Sequence, residues 1–225
     1  MESVLNIKLS EKLYHRNPVE TELGRKIISQ SIELIHELGI EDFTFRKLAL
    51  YMNTTEAGIY RYFENKYRLL TYLVDWYWSW LEFQISVRTK NLPDPETKIK
   101  KLIHLLGTPI TDDVNTSYVD EKLLYEVVVR EGVKTYLTKN VEEDNKANLF
   151  KPYKDLCKRI EAILLDYNSE YKYPRTLAST IIETGHFQSF FSLHLPGLTD
   201  LNGGKENTKV IRFLEDLVFS ALSKK

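Results

Sequence analysis

The side chains able to do covalent or metal chemistry are few in this chain and scattered along it. His36, His104, His186 and His194 each stand without a second ligand at the helical spacing a metal ion needs. Cys157 is the only cysteine, so an internal disulfide and a cysteine-based metal cluster are both excluded. It lies in KDLCKRIE, among cations, but no His or Asn can be assigned to it as a catalytic partner. GxSxG, P-loop and dinucleotide fingerprints are absent. These residues point away from an enzyme and require no metal or cofactor. What remains is the chemistry of recognition, which is hydrogen bonding, charge and apolar contact.

Composition sets the frame for it. Of 225 residues, 43% are apolar and 28% charged, a soluble globular balance that can bury a sizeable core. No run approaches the roughly 18 to 20 apolar residues of a membrane span. The opening MESVLNIKLSEKLYHRN has no apolar signal-peptide core. These features lead us to expect a cytoplasmic protein with no membrane partner. Residues 1–70 hold ten Lys or Arg against ten Asp or Glu, so total charge gives no support to a nucleic-acid partner.

The elements that position the polar residues read as helices throughout. Residues 1–20 look like a loose arm ending at Pro18. Thr21 is a candidate N-cap with Glu22 in the first turn. Leu23, Ile27, Ser31, Leu34, Ile35 and Leu38 then form one helical stripe, closed by Gly39 as a left-handed cap. A short helix over 45–52 buries Phe45, Leu48, Ala49 and Met52. Asn53 makes a tight turn, and Thr55 caps a third helix that buries Ile59, Tyr62 and Phe63. A long helix runs from Lys66 to about Asn91, apolar around much of its circumference. Further helices are expected at about 95–107, 119–139, 151–168, 174–195 and 206–222, with loops at 108–120 and 196–204. Three short helices with a tight turn between the second and third give helix-turn-helix geometry.

The stretch GIEDFTFRKLALYMNTTEAGIYRYFENKYRLL, residues 39–70, resembles the N-terminal domain of the tetracycline-repressor (TetR) family. The ordered set carries the likeness: Gly39, then Thr44 opening helix two and Leu48-Ala49 at its centre. Tyr60-x-Tyr62-Phe63, Asn65-Lys66 and Leu69-Leu70 follow. The resemblance implies an all-α chain with a three-helix DNA-binding head at 21–67 and a helical ligand-binding and dimerisation body at 68–225. It implies a regulator, in most such cases a repressor, that binds a pseudo-palindromic operator in double-stranded DNA as a homodimer. It places Thr44, Arg46, Thr55, Glu56, Ala57, Tyr60, Arg61 and Lys66 at the DNA. Tyr60 and Lys66 would meet phosphate, and Arg61 a guanine or a phosphate. Two positions depart from the family pattern. Asn53 stands where glycine is usual, and Glu56 where Lys or Gln is frequent; a carboxylate there repels phosphate but can accept from cytosine N4.

Two expectations concern the body. Ala178, Ile182, Gly185, Ser189 and Ser192, with Val210, Leu214, Leu217 and Ala221 on the last helix, repeat at spacings of three and four and suit a four-helix dimer interface. Trp76, Trp80, Phe83, Tyr125, Val129, Phe187 and Phe190, with His104 or His186 for polarity, are candidate walls of a pocket for a small, largely apolar effector. The alternative is a helical small-molecule-binding or adaptor protein without operator binding, which the uncharged head and Glu56 favour.

Overall fold

The structure, a computed structural model, describes residues 7–108, 116, 118–202 and 207–223. Regular structure among them is helical throughout, as expected: α1 (Glu22–Asp42), α2 (Phe45–Tyr51), α3 (Glu56–Tyr60), α4 (Lys66–Thr89), α5 (Pro95–Gly107), α6 (Glu121–Glu131), α7 (Val141–Lys146), α8 (Lys151–Tyr167), α9 (Pro174–His194) and α10 (Thr208–Leu222). No helix among the described residues is long and apolar enough to cross a membrane. The chain packs as two compact units. One draws on Met1–Ser79 and Ile110–Pro152, the other on Trp80–Pro109 and Tyr153–Lys225. This division by packing differs from the functional boundary expected near Tyr67.

In the first unit, α1 starts at Thr21, whose hydroxyl accepts the Gly24 N–H at 3.0 Å. It breaks at Gly39, where φ is 74° and ψ 161°, and resumes for one turn to Asp42. Only glycine takes that conformation without strain. Two distant charged residues satisfy backbone groups of the turn after the break. The Glu131 carboxylate, at the end of α6, accepts the Ile40 N–H at 3.3 Å. The Lys66 ammonium, at the start of α4, donates to the carbonyls of Ile40 at 2.7 Å and Glu41 at 2.8 Å. Further links bind α6 along α1: Arg130 donates to the His36 carbonyl at 2.9 Å, and His36 Nε2 lies 2.6 Å from Glu126. Lys134 bridges Glu131 at 2.8 Å and Glu41 at 3.1 Å.

Two expectations here need correction. The arm is built, not loose, over residues 7–20: Ser10 and Asn17 cap short 3₁₀ turns, and Leu13 is buried. Pro18 sits so close to α1 that a Cβ on Gly24 would stand 2.2 Å from the Pro18 carbonyl oxygen. The single helix expected over 119–139 is instead α6 and a 3₁₀ turn at Gly132–Thr135, and a separate α7 begins only at Val141. Gly132 ends α6, and Thr135 donates its hydroxyl to the Gly132 carbonyl at 2.7 Å, tightening the turn. Most of the expected loop at 108–120 lies outside the described residues.

In the second unit, α5, α8, α9 and α10 share a core of Ile99, Leu102, Leu156, Ile160, Ile181, Leu214 and Val218. Asp94 caps α5 by accepting the Thr97 N–H at 2.8 Å, with Pro95 in the first turn. Asn207 takes the left-handed conformation at φ 55° before α10 and donates to the Gly107 carbonyl at 2.9 Å. The stripe of small residues expected to meet a second copy lies against this chain's own helix. Gly185 faces Leu214, and Ala178, Ile182, Ser189 and Val210 are buried, with Ser192, Leu217 and Ala221 half-buried. Small side chains on α9 let α10 approach closely, so the same pattern serves intrachain packing. Other apolar side chains are exposed: Phe187 (44%) and Leu193 (73%) on α9, Leu195 and Leu198 just after it, and Phe213 on α10.

One buried group works against the fold. Asp75, in α4 and 3% exposed, has a carboxylate oxygen with no hydrogen-bond partner among the described residues. Burial raises its pKa well above the ordinary carboxylate value. The folded protein therefore keeps a proton that the unfolded chain loses above about pH 4, and stability falls as pH rises from there toward the raised folded value. Asp75→Asn removes the titration. Its stability relative to wild type, measured by urea unfolding, should rise as pH increases above about 4.

Candidate nucleic-acid interface

The helix-turn-helix is assembled by local capping. Thr44, in extended conformation, accepts the Lys47 N–H at 3.1 Å and starts α2. Asn53 turns the chain at φ 53°, and the Thr54 N–H reaches the Ala49 carbonyl at 2.9 Å. Asn tolerates this left-handed position, which accounts for its standing where glycine is usual. Thr55 then accepts the Gly58 N–H at 3.2 Å and starts α3. Ile59, Tyr62 and Phe63 are buried beneath α3 with Phe45, Leu48 and Ala49 of α2.

This burial leaves Thr44, Arg46, Thr55, Glu56, Ala57, Tyr60 and Arg61 exposed, as the spacing requires. The Tyr60 ring packs edge-on to Phe45 at 5.0 Å, which fixes the ring and leaves the residue 49% exposed. The head's neutral balance is unevenly distributed. Residues 44–66 carry four Lys or Arg against two Glu, whereas residues 21–43 carry two against five acids. Several of those acids are turned to structure: Glu33 accepts the Tyr51 hydroxyl at 2.9 Å, and Glu41 pairs with Lys134. Lys66 differs from its sequence reading. Its ammonium is half-buried and held by two carbonyls at the α1 break, where a cation also suits the negative end of the helix.

The expected effector walls fall in both compact units. Trp76 and Trp80 are fully buried, Tyr125 is buried with its ring 6.3 Å from Tyr77, and Val129 is half-buried. Phe83, His104 and Phe187 are exposed; Phe187 stacks on Phe191 at 6.0 Å, and half-buried Phe190 lies 4.6 Å from His194. His186 is buried, and burial lowers its pKa to about 4, so it is neutral at physiological pH. Cys157 is buried with its pKa raised to about 11, chiefly by desolvation, and stays a thiol. Among the described residues no group of His, Cys, Asp or Glu could hold a metal ion. Sequence reasoning missed a cavity of about 640 Å³ in the first unit, between Tyr67, Arg68 and Thr71 of α4 and residues 133–140 with Asp144. Arg68 and Asp144 pair across it at 2.7 Å. Its second wall comes from the turn after α6, which was expected to be continuous helix, so no sequence signal marked it.

Residues 27–73, from α1 through the opening of α4, match the family model for bacterial regulatory proteins of the tetR family. The head of this chain is a tetR-family head. No curated protein matches the chain in sequence. Solved structures extend the likeness of fold beyond the tetR-family head to nearly the whole chain. AibR in complex with isovaleryl coenzyme A and operator DNA is 15% identical at a TM-score of 0.59, covering 87% of this chain and 98% of that one. FadR from Bacillus subtilis in complex with stearoyl-CoA is 18% identical at 0.62, covering 87% and 97%. A putative TetR-family regulator from Syntrophomonas wolfei is 14% identical at 0.64, covering 91% and 98%.

The position of Lys66 in the tetR-family head yields a test. Lys66→Met should destabilise the first unit by about 1–3 kcal/mol, the range for hydrogen bonds made by a charged group. Arg61→Ala, at an exposed position, should leave the thermal midpoint within a degree or two of wild type. Equal midpoints for Lys66→Met and wild type would show that the ammonium does not hold the break.

Proposed function

We propose that this chain is a one-component transcription regulator, acting as a repressor, that binds a pseudo-palindromic operator as a homodimer and is released by a small effector. The observation that carries the reading is the exposed face of α3. Glu56, Ala57, Tyr60 and Arg61 point outward from a helix whose other side is anchored by Ile59 and Phe63. In helix-turn-helix proteins this face enters the major groove, where arginine can reach guanine O6 and N7. Recognition is by binding, and no step of it requires a catalytic group.

The exposed Phe187, Leu193, Leu195, Leu198 and Phe213 of the second unit favour a second copy as partner, and in a two-fold dimer each contact is made twice. Half-sites about 34–36 Å apart then constrain the distance between the two α3 helices. An effector acts only if it prefers one arrangement of the heads over another. The cavity of about 640 Å³ is our candidate for it, because Tyr67 and Arg68 belong to α4 and Lys134 to the clamp on α1. Tyr67, Val133 and Leu137 offer apolar cover beside Arg68, Lys134 and Lys139 and the carboxylates of Glu41, Glu64 and Asp144, which suits an amphipathic molecule with charged groups that exchange for these ion pairs. Acyl-coenzyme A thioesters, held by AibR and FadR, are of that class and are the probes we would use first.

The DNA reading is tested with a duplex enriched by the wild-type protein from a random pool. Arg61→Ala should lose about 1–3 kcal/mol on it and relax one base position, and Tyr60→Phe should weaken all duplexes. Unchanged affinities at fixed salt would favour the adaptor alternative. For assembly, light scattering at micromolar protein should give a dimer mass for wild type and a monomer mass for Phe187→Asp. A monomeric wild type would remove the homodimer from the account.

A further inference from the structure

We propose that the N-terminal arm is a second DNA-contact element, with Arg16 as a phosphate ligand beside the recognition helix; this rests on the DNA-binding reading above. Three links converge on Tyr62. The His15 N–H donates to the Tyr62 carbonyl at 2.8 Å, and the Thr21 hydroxyl lies 2.7 Å from the Tyr62 hydroxyl. The Arg16 guanidinium stands 5.7 Å from the centre of the Tyr62 ring. Tyr62 directly follows Arg61, the C-cap of α3. The arm is thereby held along the end of α3, and Arg16 is exposed there.

The arginines of the first unit fall into two groups. Arg25 is held by the Val19 carbonyl at 2.7 Å, Arg68 by Asp144 at 2.7 Å and Arg130 by the His36 carbonyl at 2.9 Å. Arg16, Arg46 and Arg61 have no hydrogen bond or ion pair among the described residues, and all three are exposed. Two of them are the arginines of the helix-turn-helix; the third comes from the arm and stands on Tyr62, the residue after the C-cap of α3. Lys66, the cation expected to take a phosphate there, is engaged with the carbonyls of α1. A guanidinium backed by an aromatic face keeps its N–H fork free for a phosphate. Contact with a phosphate adds affinity without sequence preference and releases counterions.

The test is the salt dependence of binding by the full chain to its enriched duplex and to a scrambled one, for wild type, Arg16→Ala, Arg16→Lys and Arg61→Ala. Arg16→Ala should weaken binding to both duplexes by similar factors and lower the slope of log K against log salt by about 1 per protomer. Arg16→Lys should keep the wild-type slope, and thermal midpoints should not move. An unchanged slope in Arg16→Ala overturns the proposal, as does an equal drop in Arg16→Lys accompanied by a lower midpoint, which marks arm folding instead. Loss of sequence preference in Arg61→Ala beside an unchanged slope in Arg16→Ala overturns this proposal alone. A wild type that binds no duplex overturns the DNA reading and this proposal together.

Discussion

α1 breaks at Gly39, and in this chain an acid and a base meet the backbone groups of the single turn that follows. The Ile40 N–H is taken by the Glu131 carboxylate, and the Ile40 and Glu41 carbonyls are taken by the Lys66 ammonium. An unmet buried backbone group costs about as much as the hydrogen bond it lacks, so neither partner can leave without a penalty. Lys66 opens α4 and Glu131 closes α6. The joint thus ties the three-helix head, whose first helix is α1, to two helices that open or close beyond it in sequence. The orientation of α3 depends on it, because α3 is anchored to the core that α1 and α4 complete.

The same joint gives a physical route for regulation. Along α6 and the turn after it, Glu126, Arg130, Glu131 and Lys134 all engage α1. A molecule in the neighbouring cavity would meet Lys134 and Arg68 directly, and so would act on the groups that hold α1 and α4. The exposed surface around α3 is correspondingly simple. Cations without intrachain partners collect near α3, whereas the acids that neutralise the head's formal charge lie largely on α1 and are in part engaged in structure. Total charge concealed this arrangement because it sums over both.

Local features were legible in the sequence and long-range pairings were not. Thr21, Thr44 and Thr55 cap as their residue types dictate, Gly39 and Asn53 take positive φ, and the buried sides of α2 and α3 follow their periodicity. The exposed set on α3 followed from the same periodicity. Lys66 did not, because its partners are carbonyls some 25 residues earlier and no pattern marks a backbone acceptor. The small residues of the α9 stripe pack closely on α10 within the chain, a contact the spacing alone did not indicate, since small residues signal a near helix without saying whose. The arm defeated composition-based reading because a single buried residue, Leu13, and two side-chain caps suffice to order it.

Amide hydrogen exchange of the full chain, with and without an enriched duplex, tests the account most directly. It predicts slowed exchange on adding DNA at residues 44–47, 55–61 and 15–16, with α8 to α10 unaffected. Protection confined to α9 and α10, or none in the segment 55–61, would contradict the claim that α3 is the DNA-reading helix of this chain.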